Sequence, residues 1–337
     1  MMTERLIWVD RMRGLAILSV VIQHLTYYFQ NEFIFHKLIG ISNMALFFFI
    51  SGFILDTTAK INSPKESAVF LGKKSIQLLL PFAVWTFIVD NYFFRPEWSA
   101  ISIDSIVAEF INPHLWFLPI LFCFSILFIF YKSGIKMAGK GGGGKVAILF
   151  WGLATVALFL LWYRWGILKM AALYIVYFAG GVIISRFNSI DKLFRNQILS
   201  TIALAVIFLV LPFWQSGATS ITNIIIKMAV SFGVILIVYN LCTRLTWNKY
   251  WNDFILACGK YSLAIYVSHW AFLHIFDSKP TIVQNELVAF LPILGYAILI
   301  CFTCILFKKL IHLFPAADLA LFGEYKIIKF NRTDKCK

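Results

Sequence analysis

The first apolar run of the chain opens with Trp8-Val9-Asp10-Arg11-Met12-Arg13-Gly14-Leu15-Ala16 and continues to Gln23-His24. Arg13 and His24 are separated by three helical turns plus about 20°, so in a helix they share one face, roughly 16 Å apart along the axis. Asp10 lies near that face, one turn before Arg13. A guanidinium pairs well with phosphates. A neutral imidazole serves as a general base near physiological pH. A basic mouth with a base three turns deeper suits a long donor held at its phosphates and threaded inward by its reactive end. Acyl-coenzyme A has that shape, with a thin pantetheine arm and a thioester at the tip.

The element that carries these residues must lie in a membrane. The chain has 337 residues, 61% of them hydrophobic and only 14% charged, with a mean hydropathy of +0.82. A soluble domain averages about 25% charged residues, so a water-soluble enzyme or DNA-binding protein is excluded. A spanning helix needs about 20 mostly apolar residues. By that rule the sequence predicts an all-α, polytopic membrane protein with about ten spans. They fall near 9–29, 38–56, 75–94, 115–131, 146–163, 167–185, 197–214, 223–241, 254–276 and 287–311. Residues 1–315 form a single transmembrane domain, and 316–337 a short basic tail. Ionisable residues inside a membrane segment are rare and face a cavity or a partner, which favours a functional role for His24 over a packing one.

Charge orients the bundle. With the N-terminus cytoplasmic, 24 of the 30 Lys and Arg fall on the inner side, leaving Lys37, Arg95, Arg164, Lys169, Lys227 and Lys279 outside. That asymmetry follows the positive-inside rule and places both termini in the cytoplasm. The net charge of +14 then reflects topology and calls for no nucleic-acid partner. The opposite face gathers Glu97, Asp104 and Glu109 in one loop.

Several suggestive patterns carry nothing. Tyr27-Tyr28-Phe29-Gln30 follows the first run where a cleaved leader would have small residues, so the helix should be retained. Cys301 and Cys304 have metal-ligand spacing but no partner ligands nearby in the apolar run, and no metal is expected. The segment Gly139-Lys140-Gly141-Gly142-Gly143-Gly144-Lys145 imitates a phosphate-binding loop, yet Val146 stands where Ser or Thr is needed and no strand precedes it. It reads as a flexible linker.

Four motifs in order along the chain together resemble the acyltransferase-3 family of integral-membrane O-acyltransferases. The opening Asp10-x-x-Arg13-Gly14-Leu15-Ala16 with His24 resembles its Arg-x10-His signature. Phe47-Phe48-Phe49-Ile50-Ser51-Gly52-Phe53 is similar to its second-helix pattern, and His114-Leu115-Trp116-Phe117-Leu118 to its His-Leu-Trp-Phe-Leu block. The segment Gly259-Lys260-Tyr261-Ser262-Leu263-Ala264-Ile265-Tyr266-Val267-Ser268-His269 resembles its late Gly-x-x-Ser-x-x-Ile-Tyr-x-x-His motif. One departure concerns the donor. The family usually has Arg-x-x-Arg before the third helix, whereas this chain reads Lys73-Lys74-Ser75-Ile76-Gln77, ending at Pro81. Lys74 keeps a point charge, but Gln77 supplies no cation, so a bidentate clamp is lost.

The resemblance implies acyl transfer, most often of acetyl, from cytoplasmic acyl-coenzyme A to a hydroxyl of a carbohydrate or lipid-linked glycan. No metal takes part, and the setting is a multi-pass protein of the bacterial inner membrane. It implies that His24 acts as base or acyl carrier beside Arg13 and Asp10, and that Arg13, Lys73 and Lys74 hold the coenzyme A phosphates. His114, Trp116 and His269 would meet the acceptor, although Trp116 also suits an interfacial belt and His269 a packing role. Ser51 beside Gly52 better suits close helix packing than nucleophilic attack. A transporter or flippase for an anionic substrate is the rival reading, with His24 and Arg13 on its pathway. The two halves show no inverted repeat of interrupted helices to favour it.

Overall fold

A computed structural model describes residues 7–26, 34–89, 115–138, 143–161, 166–187, 192, 194–215, 220–273 and 286–324. Every regular element among them is helical. In chain order these are α1 (Ile7–Thr26), α2 (Ile34–Thr58), α3 (Pro64–Val89), α4 (Phe117–Ala138), α5 (Gly143–Leu161) and α6 (Gly166–Arg186). There follow α7 (Gln197–Val210), α8 (Ile221–Arg244), α9 (Lys249–Lys260), α10 (Ser262–Leu273), α11 (Glu286–Ile311) and α12 (Pro315–Phe322). His114, the loop with Glu97, Asp104 and Glu109, and Gly139 to Gly142 of the glycine-rich linker lie outside the described residues.

Seven helices among the described residues are long and apolar enough to cross a membrane, fewer than the ten expected from sequence. The three that fall short do so for separate reasons. Helix α1 carries Asp10, Arg11 and Arg13 in its first two turns. Helix α7 is short, giving way to a 3-10 turn at Leu211–Phe213. The run expected at 254–276 is divided at Tyr261 into α9 and α10, of twelve residues each. The chain is nonetheless a multi-pass membrane protein by its seven apolar helices. Large side chains such as Leu149, Phe208, Phe213, Leu291 and Phe302 stand exposed on their outer faces, where lipid would cover them.

The polar helix α1 is tolerated because it is central. It packs against α2, α8, α9, α10 and α11. Two glycines allow its closest approach: a Cβ on Gly14 would run into the Ile255 carbonyl of α9, and one on Gly259 into the Asp10 carbonyl. Arg11 serves this packing too, donating from Nε to Asn252 Oδ1 at 2.8 Å and from Nη1 to the Cys242 carbonyl at 3.0 Å. Helices α2 and α6 use the same device, Gly52 facing Phe178 and Gly181 facing Phe49 and Phe53. Small residues let helix backbones meet where lipid gives no hydrophobic drive for association. That accounts for Gly52 beside Ser51 without any chemical role.

Charged side chains fasten the helix ends at the Arg13 end of the bundle. Asp56, whose side chain is 2% exposed, receives Lys132 of α4 at 3.0 Å, Ser185 Oγ at 2.6 Å and Arg186 Nη2 of α6 at 2.5 Å. Helix α12 falls in the stretch read from sequence as tail, yet it packs into the body. Asp318 takes Lys308 from α11 and His312 from the turn after it, and Trp85 of α3 donates to the Leu321 carbonyl at 2.8 Å. His312, Asp318 and Glu324 are grouped closely enough to suggest a metal site, but the Lys308 ammonium already pairs with both carboxylates. Gly323 ends α12 with φ +63, and the turn fits against Ile76 and Gln77. Only glycine takes that conformation at little cost.

Candidate active site

Two cavities lie along α1, α2 and α10. The first, of about 310 Å³, is lined by Arg13, by Phe47, Ser51, Ile54, Leu55 and Thr58 of α2, by Lys74 and Gln77 of α3, and by Ser262 and Tyr266 of α10. The second, of about 510 Å³, is lined by Gln23 and His24, by Gly40, Asn43 and Met44 of α2, by Trp116 and Tyr174, and by Tyr266, His269 and Trp270. Tyr266 borders both.

Helical periodicity explains why these elements serve both chambers. On α2 the lining positions 40, 43, 44, 47, 51, 54, 55 and 58 form one stripe at the three-and-four spacing. On α10, Ser262, Tyr266 and His269 follow the same spacing, while Ile265 faces the core at 0% exposure. Ser262, Tyr266 and His269 of the Gly259–His269 segment are therefore cavity positions, and Gly259 is a contact with α1.

Of the residues expected to act together, Arg13 and Lys74 line the first cavity and His24, Trp116 and His269 the second. Lys74 sits at the start of a π-helical stretch, Ser75–Leu79, forced by Pro81, which has no N–H to donate and crowds the preceding turn. Its ammonium donates to Gln77 Oε1 at 3.1 Å, so the residue in the arginine position holds the remaining cation. Lys73 is exposed and does not line this cavity. Asp10 is buried against α9 and lines neither cavity.

In the deeper chamber the His24 and His269 rings are 5.2 Å apart between centroids, and Trp270 meets His24 edge-on at 4.8 Å. His269 is 3% exposed, and its Nδ1 lies 3.0 Å from the Ile265 carbonyl and 2.8 Å from that of Tyr266. Carbonyls only accept, so Nδ1 bears the proton and Nε2 is left as a lone pair. Nε2 has no hydrogen-bond partner among the described residues. Opposite, Trp116 packs on Tyr174 with ring centroids 5.0 Å apart. Lys227 of α8 donates to the Tyr174 hydroxyl at 3.0 Å and lies 4.5 Å over its ring.

A family model described as an acyltransferase domain matches residues 6–307, nearly the whole bundle. The chain belongs to the acyltransferase-3 family. No curated protein and no solved structure matches it. For a membrane acyltransferase, the geometry reads as a cationic chamber and a histidine-bearing chamber meeting at Tyr266. Sequence reasoning assigned no role to Gln23, Asn43, Tyr174, Tyr266 or Trp270, which also line the deeper chamber. Gln23 and Asn43 did leave a trace, as amides inside otherwise apolar runs.

Proposed function

We propose that this acyltransferase moves an acetyl or related acyl group from cytoplasmic acyl-coenzyme A to a hydroxyl of a carbohydrate or lipid-linked glycan, in the bacterial inner membrane. The observation that carries the reading is the meeting of the Arg13–Lys74 cavity with the His24–His269 cavity at Tyr266. Arg13 and Lys74 hold the phosphates of the donor, with Lys73 adding charge nearby. The pantetheine arm runs past Tyr266 and brings the thioester to His24. Trp116, packed on Tyr174, offers a sugar an aromatic face, and the His269 Nε2 lone pair accepts a hydrogen bond from one of its hydroxyls.

His24 acts as general base. It takes the proton of the acceptor hydroxyl as that oxygen attacks the thioester carbonyl. The C–O bond forms, the C–S bond then breaks, and the departing thiolate recovers the proton. Burial away from bulk water keeps the thioester from hydrolysis. The test is incubation of purified protein in vesicles with labelled acetyl-coenzyme A and cell-envelope glycan fractions. Label on glycan is the expected result. Glycan or coenzyme A uptake without transfer would instead mark a transporter.

A further inference from the structure

We propose that Gln23 is a catalytic residue, its side-chain amide donating to the oxyanion that forms when the acceptor hydroxyl attacks the thioester. The proposal rests on the acyl-transfer reading given above. It adds a group that the reaction requires and that His24 cannot supply, since a base accepts a proton where an oxyanion needs a donor.

The orientation of the amide is fixed by a chain of hydrogen bonds that begins at a backbone donor. Met44 N–H donates to Asn43 Oδ1 at 2.6 Å, which makes the other Asn43 atom the NH₂ group. Asn43 Nδ2 then donates to Gln23 Oε1 at 2.5 Å. That identifies the atom facing Asn43 as Oε1, so the other terminal atom of Gln23 is Nε2, a donor with two hydrogens. The backbone N–H removes the ambiguity that otherwise attends amide assignments.

Two further features place that donor. Gln23 lines the deeper cavity beside His24. Gly40, across from it on α2, leaves the space that Nε2 occupies: a Cβ there would lie 2.9 Å from Nε2 and 3.5 Å from Cδ. Any side chain at position 40 would push the amide aside. A pocket between two packed helices thus holds a preoriented donor on the same wall as the base.

The electron count is complete with these groups. The hydroxyl oxygen bonds to the carbonyl carbon, its proton passes to His24, and the C=O pair moves onto oxygen, where Gln23 Nε2–H meets it. When that pair returns, the C–S bond breaks and the thiolate leaves with the proton from His24. Preoriented donors aimed at developing charge act mainly on the transition state.

The experiment compares wild type, His24→Gln, Gln23→Leu, Gln23→Glu and Gly40→Ala in vesicles. Labelled acetyl-coenzyme A is the donor and a cell-envelope glycan fraction the acceptor, with release of free coenzyme A thiol as the readout. Gln23→Leu should lower kcat by about 10²–10³-fold, the range for loss of one oxyanion donor, with the KM for acetyl-coenzyme A little changed. Gln23→Glu, which as a carboxylate offers only lone pairs, should match it. Gly40→Ala should lose part of the rate without touching either residue. Asn43→Leu should lower kcat in the wild type, with KM little changed, and cost nothing further in Gln23→Leu, because Asn43 acts on the reaction only through the Gln23 amide it orients. A dead His24→Gln with Gln23→Leu and Gln23→Glu within about threefold of wild type overturns this inference and leaves the acyl-transfer reading intact. A raised KM at unchanged kcat overturns it as well, making Gln23 a donor-binding group. Wild-type transfer by His24→Gln removes the underlying reading instead. If Gln23→Leu does not fold, Gln23→Glu and Gly40→Ala carry the same comparison.

Discussion

At the residue scale, the proposed mechanism assigns binding to the Arg13 end of the α1 stripe and chemistry to the His24 end. His24 lines the deeper chamber against His269 and Trp270. His24→Gln preserves polarity and approximate size but cannot carry the proton. It should reduce transfer by about 10²–10⁴-fold, the usual worth of a general base, in protein that still inserts and elutes as wild type on size exclusion. Arg13→Lys should keep partial activity, because the charge survives and the planar fork does not. The two lysines before α3 can be separated by where they stand. Lys74 lines the donor cavity and is held by Gln77, whereas Lys73 is exposed. Steady-state kinetics should therefore give Lys74→Ala a raised KM for acetyl-coenzyme A with a smaller change in kcat, and Lys73→Ala a slighter change in both. Equal effects would mean that both act only as diffuse surface charge.

At the scale of elements, the Arg13–His24 stripe was legible because a helix fixes angular spacing from sequence number alone. The same holds for the α10 positions Ser262, Tyr266 and His269, since one helix carries them all. The coupling of Gln23 to Asn43 was not legible, because it depends on the register between α1 and α2. Nor was the division of the ninth run at Tyr261, which is set by how α9 meets α1 through Gly14 and Gly259 and not by apolar content. Register also governs Asp56, which reads in sequence as one acid at a helix end. In the fold it joins α2 to Lys132 of α4 and Arg186 of α6. Asp56→Ala would leave those cations facing each other without their carboxylate. The loss from breaking such a buried pair is about 3–5 kcal/mol, so the variant should unfold well below wild type in a detergent melt. Replacing an exposed acid such as Asp253 should leave the melting temperature close to wild type.

At the scale of the whole molecule, the sides of the bilayer have to match the two chambers. The proposed donor is cytoplasmic acyl-coenzyme A, so the Arg13 chamber is expected to open there. The Arg13 end also carries the Asp56 cluster with Lys132 and Arg186, the α11–α12 staple with Lys308, and Lys74, which is the cationic side by the positive-inside rule. Lys227 and Trp116 border the opposite chamber. Seven helices among the described residues are long and apolar enough to span. If α1, α7 and the α9–α10 pair also cross, each shielded by neighbours where its own length or polarity is insufficient, the crossings are even in number. Both termini then lie on the same side, which the positive-inside rule predicts to be the cytoplasm. Reporter fusions at each end, one active only outside the membrane and one only inside, measure this directly in intact cells. Two cytoplasmic termini are expected. Termini on opposite faces would mean that one of the three short or polar elements, or all three, does not cross. Two external termini would turn the Arg13 chamber away from the coenzyme A pool and defeat the donor route proposed for it.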